Sequence, residues 1–245
     1  MIGLGMTVTG ACPGTVLVQV SAGIPSGWYA LAGGILGGIF HSRFSGYLRG
    51  SQACATSDDK LTVQSKLNIE THYAVLAYEL LCLGFISLAT MLGPQSASIP
   101  LHPLFGGALI GAAQTASLIL TSRPVGVSAV YAALGSYFWR IRDLLSGKDL
   151  KGVPRPPSES IYFAAGIIAG SNMLVRSIPP KVLETGTDIG AVRGIIGGFI
   201  LVLGARFAGG CTSGHGISGM SMLSISSIIT VASMFSGGIG LALLI

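Results

Sequence analysis

Residues 204–219 read GARFAGGCTSGHGISG. Their reading decides the fold, because a cysteine and a histidine four positions apart stand in a glycine-rich break at the end of an apolar run. Glycine tolerates backbone conformations that other residues resist and weakens a helix interior by roughly 0.5–1 kcal/mol relative to alanine. The run therefore marks a point where a helix stops and its backbone can be approached closely. Composition sets the medium around that point: half of the 245 residues are hydrophobic, 9% are charged, and the mean hydropathy is +0.72. A soluble domain carries roughly 25% charged residues. The chain reads as an all-α integral membrane protein.

Apolar runs near 28–47, 72–93, 103–121, 160–176, 190–208 and 224–244 predict six spans, and residues 1–10 predict the last turns of an earlier helix. Their Gly, Ala and Ser content suits helices that pack closely in a bundle. The net charge of +5 does not point to nucleic acid, because the basic residues sit in short segments between apolar runs. Arg43, Arg49, Lys60 and Lys66 fall in 41–71, and Arg123, Arg140, Arg142, Lys148, Lys151 and Arg155 in 122–159, whereas 94–102 has neither Lys nor Arg. The positive-inside rule places the first two loops in the cytoplasm and the third on the far side.

The stretch at 204–214 has a partner. GMTVTGACPGT (5–15) aligns without a gap on GARFAGGCTSG (204–214), pairing Gly5 with Gly204, Gly10 with Gly209, Cys12 with Cys211 and Gly14 with Ser213, and Gly38 falls opposite Gly237. This is an internal repeat, with a first half at 1–100 and a second at 101–245 in a single membrane domain. Five spans counted between the two cysteines are an odd number, so the breaks are expected to enter from opposite faces. The expected architecture is an inverted-repeat helix bundle with re-entrant Gly-Cys breaks, a secondary-transporter design in which irregular backbone at membrane depth lines a cavity.

The cysteines then invite a chemical reading. Cys54 and Cys82 read as ordinary small residues. Cys12 and Cys211 sit in matched breaks on opposing loops, which disfavours a structural disulfide, and Cys211 with His215 gives only two zinc ligands. No metal and no cofactor is expected. The flanking Gly10, Gly14, Gly209, Gly210 and Gly214 let the backbone approach a ligand, and helix starts near 13 and 212 offer N–H groups that favour an anion. A thiol buried from water stays neutral and donates a weak hydrogen bond instead of repelling negative charge. Soft sulfur suits a small sulfur-bearing anion. Arg206 is a functional candidate because charge is expensive within a span, and Ser213, His215 and Ser128 are further candidate donors.

GACPGT (10–15), RPVGVSAVY (123–131) and GGCTSGHGISGMS (209–221) resemble the signature segments of the YeeE/YedE family of sulfur transporters, including its fungal relatives. The resemblance runs through essentially the whole chain. It implies two pseudosymmetric halves in an inner or plasma membrane and a central route on which thiosulfate is handed between cysteine thiols by S–H hydrogen bonds, with Cys12 and Cys211 as the carried-over thiols. Two departures stand out. The first half has only its Gly-Cys break, so the chain reads as truncated at its N-terminus, and Ser128 stands where a third thiol would complete the relay.

Transport of thiosulfate or a related anion is thus the expected function, with membrane lipid as surroundings and a cytoplasmic sulfurtransferase as candidate partner. Two alternatives accompany it. One is a membrane enzyme forming a persulfide on Cys211, against which stands the lack of an accompanying general base or cofactor motif. The other is an inactive truncated fragment whose glycines merely pack helices. No nucleotide-binding loop, dinucleotide fingerprint or hydrolase elbow occurs in the sequence.

Overall fold

The computed structural model describes residues 1–48, 62–92, 103–121, 126–147, 158–177 and 189–244. Cys54, Arg49, Lys60, Arg123, Lys148, Lys151, Arg155, Lys181 and the segment 94–102 lie outside the described residues. Every long element is a helix: α1 (Ile2–Thr9), α2 (Pro13–Ser21), α3 (Pro25–Leu48), short α4 (Val63–Leu67), α5 (Thr71–Leu92), α6 (Pro103–Thr121), α7 (Ser128–Leu145), α8 (Glu159–Ser177), α9 (Ala191–Phe207) and α10 (Ile225–Ala242). A wide-turned π-helical segment, Ser213–Gly219, lies between α9 and α10. The broken helix Ile2–Ser21, together with α5 and α10, is long and apolar enough to cross a bilayer. The protein is an integral, multi-pass membrane protein. Leu80, Leu83, Phe85 and Leu88 of α5 are exposed, as side chains that meet lipid should be.

Without water to drive apolar burial, helices in a membrane associate through close van der Waals packing of small residues. The centre of this bundle follows that rule. A Cβ built on Gly5 of α1 would lie 2.6 Å from the Leu201 Cα of α9, one on Gly204 would lie 2.8 Å from the Ile2 nitrogen, and one on Gly197 would lie 2.6 Å from Thr9 Cγ2. These pairs run in opposite order along the two helices, so α1 and α9 are antiparallel. Adding 199 to a residue number, the offset of the sequence repeat, turns Gly5 into Gly204 and Ile2 into Leu201. The crossing therefore reproduces itself when its two partners are exchanged.

Around this pair, α3 lies parallel to α9, with Gly194 against Tyr29 and Gly37 against Phe199. The α3 and α7 helices are also parallel, with Gly34 against Tyr131 and Gly135 against Ser42; Ser42 Oγ donates to the Ala132 carbonyl at 3.1 Å and the long Trp139 side chain reaches back to donate to the Ile39 carbonyl at 2.9 Å. Arg43 and Arg142 lie over the Trp139 ring at 5.6 and 4.7 Å from its centroid. The described basic ends of two sequence-distant segments thus share one end of the bundle.

One expectation needs correction. The segment 122–159, read above as a polar loop, contains α7. Its first half, SAVYAALG, is small and apolar, and Val130, Tyr131, Ala133 and Gly135 are buried, while Arg140, Arg142 and Asp143 in its second half dilute the apolar signal. Counting spans between Cys12 and Cys211 consequently left out a helix. The relative direction of the two breaks is instead read from the α1–α9 crossing.

Candidate functional site

Each of the matched breaks begins with a left-handed glycine. Gly10 has φ 63° and Gly209 has φ 77°, a conformation that costs an L-residue with a Cβ roughly 1–2 kcal/mol. Two residues later comes the cysteine. Cys12 is the N-cap of α2, with Pro13 in the first helical position, where its missing N–H is no loss. The Cys12 sulfur accepts from the Thr15 N–H at 3.4 Å and lies 2.8 Å from Thr15 Oγ1, which in turn accepts from the Cys12 N–H at 3.1 Å. This reciprocal arrangement is a capping box built with a thiol.

Cys211 is fully buried. Its carbonyl accepts from the His215 N–H at 2.9 Å, opening the π-helical segment, a form that favours functional positions. Its sulfur lies 3.0 Å from Ser213 Oγ. The Gly214 N–H and both the N–H and hydroxyl of Ser128 are hydrogen-bonding neighbours of the same sulfur. Ser128 is buried and opens α7, so a third helix start converges on the thiol of the second break. The breaks at 10–12, 126–128 and 208–212 come from distant parts of the chain and meet in one place. Val127 Cγ2 would stand 3.5 Å from a Cβ on Gly14, which ties the turn before α7 to the start of α2 as well.

At the meeting point stands Tyr131, one helical turn beyond Ser128 and 1% exposed. Its ring lies against Gly34, where an added Cβ would be 2.8 Å from Cε1. Its hydroxyl donates to the Pro13 carbonyl at 3.0 Å, one residue from Cys12, and the residue shares a buried cluster with Cys211. No signal in the sequence separates this tyrosine from any aromatic residue in a packed helix. It was not among the candidates.

Two cavities flank this centre. One, of about 450 Å³, is lined by Ser128, Arg206, Gly209, Gly210, Gly214 and His215, all anticipated, and by Glu159, Ser117 and Ser227, which were not. The other, of about 420 Å³, is lined by Gly10, Cys12 and Thr15 with Met6 and Met234 among its apolar walls. The structure therefore distributes most of the candidate residues over two compartments, while Cys211, Ser213 and Gly14 line neither. Ser213 stands on Cys211 itself. His215 bridges the break and α10: one ring nitrogen lies 3.0 Å from the Ala208 carbonyl and the other 3.0 Å from Ser227 Oγ. The carbonyl can only accept, so Nε2 carries a proton and donates to it, while Nδ1 faces the serine hydroxyl. Cys12, Cys82 and Cys211 are free thiols. Among the described residues, no three His, Cys, Asp or Glu side chains gather at one point.

Comparison with known proteins agrees in direction. A family model described as "Sulphur transport" matches residues 1–240. A "Probable transporter" of Xylella fastidiosa strain 9a5c is similar, 30% identical over 145 residues that make up 58% of this chain and 91% of that protein. A second "Probable transporter", from strain Temecula1 of the same species, is 29% identical over an equal length and with the same coverage.

Proposed function

The chain belongs to the sulphur-transport family, and from that premise we propose that it carries thiosulfate, or a sulfur-bearing anion of similar size, past Cys12 and Cys211 without covalent change. Transport itself follows from the family and from relatives named as transporters. The observation that carries the finer reading is the convergence of three helix breaks around two free thiols, Cys12 and Cys211, with the buried Tyr131 packed beside them. The antiparallel α1–α9 crossing, which repeats under exchange of its partners, supports an inverted repeat with the two breaks opening toward opposite faces.

The chemistry runs as follows. In the lipid-depth cavity, the Arg206 guanidinium attracts an anion far more strongly than it would in water, because little solvent screens it. The Gly214 and Ser128 backbones lie beside Cys211, and the start of α7 there offers N–H groups whose dipoles favour negative charge. With no anion present, the Cys211 and Cys12 sulfurs accept hydrogen bonds from backbone N–H groups and pair with the Ser213 and Thr15 hydroxyls. An arriving anion replaces sulfur as the acceptor, and each S–H turns to donate to it. S–H is a weak donor, which suits handover because a station that binds tightly does not release. No step needs an electron or a leaving group.

The test is accumulation of sulfur-labelled thiosulfate by proteoliposomes containing the purified chain, with unlabelled sulfate and thiosulfate as competitors. Uptake well above empty liposomes, abolished by thiosulfate and little affected by sulfate, is expected. Uptake equal to that of empty liposomes, or equal competition by sulfate, contradicts the thiosulfate reading.

A further inference from the structure

We infer that Tyr131 is the middle hydrogen-bonding station of the route, the group that receives the anion between the Cys12 and Cys211 thiols; this rests on the function proposed above. Cys12 lines one of the two cavities, whereas Cys211 is fully buried and lines neither, so the passage of an anion from one thiol to the other runs through the packed centre beside Tyr131. The polar side chain placed to meet it there is the Tyr131 hydroxyl. It is held on the Pro13 carbonyl at 3.0 Å, one residue from Cys12, on a helix whose first residue, Ser128, is a hydrogen-bonding neighbour of Cys211. Its ring belongs to the same buried cluster as Cys211.

Its surroundings are shaped for it. The ring is 1% exposed and is received by α3, where Gly34 and Gly38 leave the room that side chains would fill. The hydroxyl's partner is the Pro13 carbonyl, which stands in the first turn of α2 and, with a helical hydrogen bond of its own, can release the phenol without being left bare. A phenol O–H is a stronger donor than a thiol. Turned from Pro13 to the anion, it supplies the hydrogen bond that neither thiol can supply at the midpoint. Ser128, where a third thiol was expected from the sequence, already faces Cys211 and serves that end of the route. Tyrosine, not serine, stands between.

Tyr131→Phe keeps the ring against Gly34 and removes only the hydroxyl. Rates are measured per mole of reconstituted protein, so that altered abundance cannot imitate the effect. The expected result is a maximal thiosulfate rate lowered at least about tenfold, the size of losing one hydrogen bond in transit, with KM changed less than about twofold because the entry site remains. A purely packing role would lower the melting temperature and leave the rate of the surviving protein unchanged. A parental rate in Tyr131→Phe, beside a dead Cys211→Ala, overturns this inference and leaves the thiol route standing. Uptake that survives both Cys12→Ala and Cys211→Ala overturns the route and the station with it.

Discussion

Gly10 and Gly209 show how much a single backbone angle decides in this protein. Both are left-handed, both sit two residues before a cysteine, and both end a helix within the bundle. Their equivalence was legible from the repeat alone, since a glycine retained at the same offset beside a cysteine marks a turn that a side chain would strain. Gly209→Ala is expected to cost about 1–2 kcal/mol, read as a lowered melting temperature in detergent, although nothing lies within 4 Å of its added Cβ. An unchanged melting temperature would show that the break is not held in this conformation. Thr15 was also within reach of the sequence, because a residue three after a helix-start cysteine is placed to complete a capping box. Thr15→Val, which removes the reciprocal bond to the Cys12 N–H, is expected to destabilise α2 by about 1 kcal/mol, with faster hydrogen exchange in 13–21 as its measure. Tyr131 and Glu159 were not legible. Their importance comes from what folding brings beside them, and neither has a local pattern.

At the scale of helices, glycine has two meanings that the sequence does not separate. In α1 and α9 it permits contact: a Cβ on Gly5 would lie 2.6 Å from the Leu201 backbone. On α5 it meets open space, with nothing within 4 Å of a Cβ on Gly84. Gly5→Ala is therefore expected to destabilise the bundle by about 1–3 kcal/mol through overpacking, whereas Gly84→Ala is expected to be neutral or to stabilise by up to about 1 kcal/mol through helix propensity. Melting curves of the two variants, compared side by side, check this, and equal destabilisation would contradict the close α1–α9 crossing. All six anticipated spans correspond to described helices within three residues at either end. Hydropathy finds such elements because lipid admits little else. It missed α7 because the charges at Arg140, Arg142 and Asp143 belong to the half that reaches the end of the bundle, where Arg142 lies over Trp139. A helix with one buried apolar end and one wet end averages out to look like a loop.

For the molecule as a whole, the repeat is the feature that links sequence to function. It pairs the two cysteines in the sequence, and in the fold its two first helices cross through equivalent residues, Gly5 with Leu201 and Gly204 with Ile2. What the repeat could not reveal is that a third break, at 126–128, enters the same centre and brings Ser128 to Cys211, because that break has no copy in the first half. The proposed route puts both thiols in the path of one anion. Thiosulfate uptake by Cys12→Ala, Cys211→Ala and Cys82→Ala, each at parental membrane abundance, tests it most directly. Loss of uptake in the first two, by about tenfold or more for each lost hydrogen-bonding station, with full uptake in Cys82→Ala, is the predicted result. Full uptake by either Cys12→Ala or Cys211→Ala would contradict it.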